Sequence, residues 1–114
     1  MQRFSVSVRQ VGPVTVVDIS GTVTYNEAGA LHETFLELLR KGRTKILLNL
    51  SNVTQLDSSG IGALARAFAT VRGQGGDLKM MQLSKQVQRL LEITNLCTIF
   101  EDYSDETSAL SSFE

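Results

Sequence analysis

The stretch "KILLNLSNVTQLDSSGIGALARAF", residues 45–68, constrains the fold more than any other. Ile46, Leu47, Leu48 and Leu50 stand nearly side by side. Such a run suits a strand covered on both faces or lying centrally in a sheet, because a half-exposed strand alternates apolar with polar residues. Immediately afterwards Ile61, Leu64, Ala65, Phe68 and Val71 recur at helical spacing, which predicts a helix from about Ser58 to Arg72 ended by "GQGG". A covered strand leading into an amphipathic helix is one unit of a parallel sheet with helical crossovers.

The flanking segments extend that pattern. Phe4, Val6 and Val8 alternate with Ser5, Ser7 and Arg9; Gly12-Pro13 interrupts, and Val14, Val16, Val17 and Ile19 follow, so the chain opens as a two-stranded antiparallel hairpin. Leu31, Phe35, Leu38 and Leu39 mark a helix between Asn26 and Arg40 with Lys41-Gly42 as its stop. "DLKMMQL" reads as a strand with one of Met80 and Met81 in the core and the other at the surface. Val87, Leu90 and Leu91 mark a short helix ending near Asn95, "CTIF" a last short strand, and "DETSALSSF" a closing helix. The expected fold class is α/β: a mixed β-sheet of four to five strands with helices packed chiefly on one face. Nothing in the series divides residues 1–114, which are expected to form a single domain.

Composition removes several functions. Eleven Lys and Arg against 12 Asp and Glu leave a net charge of −1, so no basic footprint for nucleic acid or an anionic membrane is present. No apolar run approaches the roughly 18 residues of a membrane span, and the N-terminus alternates without the apolar core of a secretory signal. The single cysteine, Cys97, suits a reducing cytoplasm and is expected as a small buried hydrophobe. One Cys and one His offer no metal site, and neither a cofactor nor a small-molecule substrate is expected.

The chemistry concentrates at "DSSGIG". Asp57 or Ser58 is a natural helix N-cap, but two hydroxyls are redundant for one cap. Gly60 and Gly62 are poor residues for a first helical turn, by roughly 1 kcal/mol each relative to Ala, which suggests that something approaches the backbone closely. A phosphate on Ser58 would meet the partial positive charge and free N–H groups of a helix start, so the fold would tolerate it. The surface would change by about −1.5 to −2 charges beside Asp57, which suits blocking a partner rather than unfolding the protein.

Over essentially its whole length the chain resembles a STAS domain of the anti-sigma factor antagonist family. The matching pieces are "ISGTVT", "KILLNLSNVTQLDSSGIGAL", "GQGGDLKMMQLSKQVQRLLEITNL" and "TIFEDYSDETSAL", of which "DSSGIG" after "LNLSNV" is the specific one. The resemblance implies a partner switch. An antagonist of this kind sequesters an anti-sigma factor that is also a serine kinase, which frees a sigma factor; the kinase phosphorylates the antagonist, and a PP2C-type phosphatase resets it. By position the acceptor is Ser58, with Ser59 second, and Thr24, Asp57, Ser58, Ser59, Gly60 and Gly62 form the partner-binding set. Gly60 and Gly62 would admit the kinase surface. Catalysis belongs to the partner, so the chain itself is not an enzyme. "GTVT" departs from the family's Gly-x-Leu/Val-Asp by placing Thr24 where an acidic residue is common, while "SKQV" and "TNL" replace Ser-Pro and Ser-Gly-Leu around the third helix. The alternative is a constitutive STAS scaffold or subunit without a phosphorylation cycle. A hydrolase built on Ser58 or Ser59 with His32 and Asp57 lacks the G-x-S-x-G stretch, and His32 is expected as a surface residue.

Overall fold

The computed structural model describes residues 3–114; Met1 and Gln2, the first residues of the alternating N-terminus, lie outside the described residues. The elements run β1 (Ser5–Val11), β2 (Val14–Val23), α1 (Tyr25–Arg40), β3 (Lys45–Leu56), α2 (Ser58–Gly73), β4 (Asp77–Met81), α3 (Lys85–Ile93), β5 (Asp102–Tyr103) and α4 (Glu106–Ser111). The five strands form one sheet in the order β1-β2-β3-β4-β5. β1 and β2 are antiparallel, joined by Gly12 at φ +59° and Pro13, the left-handed-then-fixed sequence of a tight hairpin turn. Each later pairing is parallel.

Because the strand order never reverses, right-handed crossovers set α1, α2 and α3 on the same face. Their apolar stripes, Leu31 and Phe35, Leu64 and Val71, and Val87 and Leu91, meet Val17, Ile19, Ile46, Leu48, Leu50, Leu78 and Met80 in one core. The opposite face carries a smaller core in which Ala109 of α4 and Phe113 just beyond it cover Val14, Val16, Leu47 and Met81. The continuous apolar runs of β2 and β3 thus have a physical cause, since successive side chains enter different cores.

Three local expectations are corrected. Met80 and Met81 are both buried, one in each core, because α4 closes the face that would otherwise hold a surface residue. "CTIF" is a turn rather than a strand: the N–H groups of Met80 and Gln82 donate to the carbonyls of Glu101 and Tyr103, so pairing begins after Phe100. Cys97 is exposed, since Phe100 and the half-buried Leu96 supply the apolar contacts of that turn. α3 ends as the sequence suggests, with Asn95 at φ +60° and the Leu96 N–H donating to the Leu91 carbonyl at 2.9 Å.

Polar contacts pin α4 in place. Lys79, only 6% exposed, donates from Nζ to the carbonyl and hydroxyl of Ser112 at 2.9 and 3.0 Å. The same ammonium lies 4.7 Å from the Phe113 ring centroid and 3.2 Å from Glu101. On the other side Arg9 bridges Asp18 at 2.7 Å and Glu106 at 2.5 Å, joining the hairpin to α4. The Arg9 hydrogen bonds hold both carboxyls below the usual carboxylate range, and Asn49 adds a bond to Asp18. A depressed carboxyl stabilises the fold above its unfolded pKa and loses that contribution as pH falls through its folded value. Denaturant melts are therefore expected to fall more steeply between about pH 5 and pH 3 for wild type than for Arg9→Gln. At neutral pH this partly exposed pair should differ from the variant by no more than about 1 kcal/mol.

Candidate functional site

The candidate site is the end of the sheet where β2 and β3 finish together. In the parallel register Val23 pairs with Leu56, and each strand then runs through one residue into a helix. Thr24 is the N-cap of α1 and Asp57 the N-cap of α2, both with extended backbone. Two helix starts therefore stand side by side, each offering first-turn N–H groups at the carboxyl end of the sheet.

Each cap is satisfied within its own turn. Asp57 Oδ1 accepts from the Gly60 N–H at 3.0 Å, fixing the first turn of α2. Glu27 Oε1 accepts from the Thr24 N–H at 2.9 Å and from the Thr24 hydroxyl at 2.8 Å. The Thr24 hydroxyl is thereby directed into α1, and the carboxylate at this end of α1 is Glu27, bound to its own cap.

Ser58 opens α2 and is exposed, whereas Ser59 is half-buried. Ile61, three residues after Ser58, is buried in the main core and pins the underside of this turn. Neither serine hydroxyl has a hydrogen-bond partner among the described residues. His32 lies on α1, half-buried rather than at the surface, with Nδ1 shielded and unpartnered because the helix carries it toward its packed side. With Asp57 committed to its cap and His32 bonded to neither serine, no nucleophile and base are joined here.

The two glycines of the motif differ in kind. A Cβ on Gly60 would overlap the Val23 carbonyl oxygen and Leu56 Cδ1, so the close approach at Gly60 is made by the chain's own strand ends. Gly60 itself is buried, so its lack of a side chain has a cause within the chain. Gly62 is exposed, and nothing lies within 4 Å of a Cβ built there. The sequence reading missed Tyr25, the first residue of α1 and 79% exposed, which stands beside the motif. The signal available for it was an aromatic residue off the Leu31, Phe35 and Leu38 stripe, directly after a cap. A groove of about 520 Å³ between β1 and α1 is lined by Val8, Glu33, Glu37 and Lys41 among others and includes none of the motif residues. Among the described residues no group of three or more His, Cys, Asp or Glu is placed to hold a metal, and no helix is long and apolar enough to cross a membrane.

Comparison with known proteins gives this geometry a family. The STAS domain profile matches residues 5–109. The chain belongs to the STAS domain family. It is 33% identical over 98 residues to the anti-sigma-B factor antagonist of Bacillus subtilis, covering 86% of this STAS chain and 89% of that protein. An anti-sigma factor antagonist from Mycobacterium paratuberculosis has the same fold, with a TM-score of 0.88 at 22% identity over 97% of this chain and 94% of the other. The Bacillus cell fate determinant SpoIIAA in its phosphorylated form matches with a TM-score of 0.76 at 16% identity, over 96% and 100% of the two chains. The five-stranded mixed sheet of this STAS chain is that fold.

The glycine contrast yields a stability test by thermal unfolding. Gly60→Ala is expected to lower stability by about 1–3 kcal/mol, as overpacking against backbone does. Gly62→Ala, in an exposed helical position, is expected to raise it by about 0.5–1 kcal/mol.

Proposed function

We propose that this STAS chain is an anti-sigma factor antagonist, its residues 1–114 acting as one module in the bacterial cytoplasm. Unphosphorylated, it sequesters an anti-sigma factor that is also a serine kinase and so frees a sigma factor. Phosphorylation of Ser58 by that kinase ends the interaction, and a PP2C-type phosphatase restores it. The chain contributes no catalysis of its own.

The observation that carries this reading is the position of Ser58: exposed, first in α2, and held there by a cap that Asp57 makes without using the serine hydroxyl. A phosphoryl group on that oxygen would lie at the positive end of a 16-residue helix, where folding gains slightly, and beside the Asp57 carboxylate, where a partner's approach is opposed. Support also comes from the antagonist relative in Bacillus subtilis and from the two forms, phosphorylated and unphosphorylated, in which the fold neighbour SpoIIAA is found. Ser59 is the weaker acceptor because it is half-buried. Thr24, Asp57 and Gly62 frame the docking patch, and Gly60 supports it from beneath.

A second reading, a constitutive scaffold, draws on Thr24, whose hydroxyl is directed to Glu27 where the family commonly presents a carboxylate. Calorimetric titration against the anti-sigma kinases of the same genome separates the two. The switch predicts that Ser58→Asp weakens binding at least about tenfold while the melting temperature moves by no more than about 3 °C. Equal affinities of Ser58→Asp and wild type would contradict the switch and favour the scaffold. Ser58→Ala is expected to bind but to take up no phosphate from the kinase.

A further inference from the structure

Among the described residues Tyr25 is the most exposed of the large hydrophobic side chains at 79%, although it belongs to a well-formed helix. The core-facing stripe of α1, Leu31, Phe35 and Leu38, leaves it out. Its position relative to Ser58 follows from the register: Val23 pairs with Leu56, Thr24 and Asp57 are the caps, and Tyr25 and Ser58 are the first residues of neighbouring helices. The parallel continues one turn further on. Gly29 and Gly62 are both exposed, and a Cβ on either would meet nothing within 4 Å. Glycine in an exposed helical turn disfavours the helix, and no close contact within the chain accounts for these two as Val23 accounts for Gly60.

We propose that Tyr25 is the aromatic anchor by which the anti-sigma factor grips this antagonist. The ring enters an apolar pocket of the partner, and the low first turns of α1 and α2 give the partner's rim room to settle. This inference rests on the antagonist reading above and adds a residue to it. Tyrosine suits the part because its large ring loses little conformational freedom on binding, and a few desolvated aromatic residues carry most of the affinity of protein interfaces. It also explains how a single phosphate acts: a dianion on Ser58 stands next to the anchor, where the docked complex excludes water and charge is most costly.

The occupant is the anti-sigma factor rather than a second copy because the anchor is continuous with the Ser58 patch. A two-fold dimer through the same patch would place two copies of the Asp57 carboxylate in one interface.

The test is calorimetric titration of wild type, Tyr25→Ala, Tyr25→Phe and Ser58→Asp with the purified anti-sigma factors of the same genome, together with thermal unfolding and sedimentation of each variant. Tyr25→Ala is expected to weaken binding at least about tenfold with an unchanged melting temperature, and Tyr25→Phe to stay within about threefold of wild type. If Tyr25→Ala binds as wild type does while Ser58→Asp does not bind, the anchor is overturned and the antagonist reading stands. If wild type binds none of the anti-sigma factors, the antagonist reading falls and the anchor with it. A concentration-dependent wild-type dimer abolished by Tyr25→Ala would assign the ring to self-association and overturn the proposal.

Discussion

The pairing of β2 with β3 is the constraint on which the rest of the molecule depends. These two strands run parallel from Thr15 and Ile46 to Val23 and Leu56, and in their first halves, Val14–Val17 and Ile46–Leu48, successive side chains are buried on both faces. Covering one face requires the crossover helices, and covering the other requires α4, which Lys79 and Arg9 fasten by hydrogen bonds and ion pairs. Because the strands end in register, their helices must also begin in register. The candidate site is therefore a consequence of sheet pairing, and no long loop is needed to assemble it.

Gly60 is the point at which packing and function meet. The start of α2 presses against the Val23 carbonyl so closely that no side chain fits at this position. That contact ties the turn bearing Ser58 to the end of β2 and so to the start of α1. A rigid base of this kind lets a modification alter the surface without altering the fold, since Ile61 below remains in the core while Ser58 above faces solvent. In the proposed switch the helix start would accept the negative charge of a phosphate on Ser58, and the adjoining Asp57 carboxylate would add to the repulsion of an approaching partner.

Most of the architecture was legible because burial on one or two faces leaves a direct trace in residue periodicity. The hairpin, three crossover helices and the two-faced strand are visible in this way. Several misreadings concern residues whose environment is set by parts of the chain remote in sequence. Met81 is buried only because α4 returns to the sheet, and Phe100 enters the core from a turn, packing edge-on to Phe68 at 5.3 Å without belonging to a strand. At the candidate site, "DSSGIG" was conspicuous, and Asp57 as a cap was legible from residue type. The reason for Gly60 was not, because it lies in the Val23 carbonyl, and Tyr25 could be placed beside Ser58 only once the register of β2 and β3 was known.

We propose that this surface is a switch operated at one hydroxyl. Its most direct test is peptide mass spectrometry of the protein after incubation with ATP and each anti-sigma kinase of its genome. One phosphate is expected, mapped to Ser58 and removed by a PP2C-type phosphatase. No phosphate with any of these kinases, or one mapped outside the first turn of α2, would contradict it.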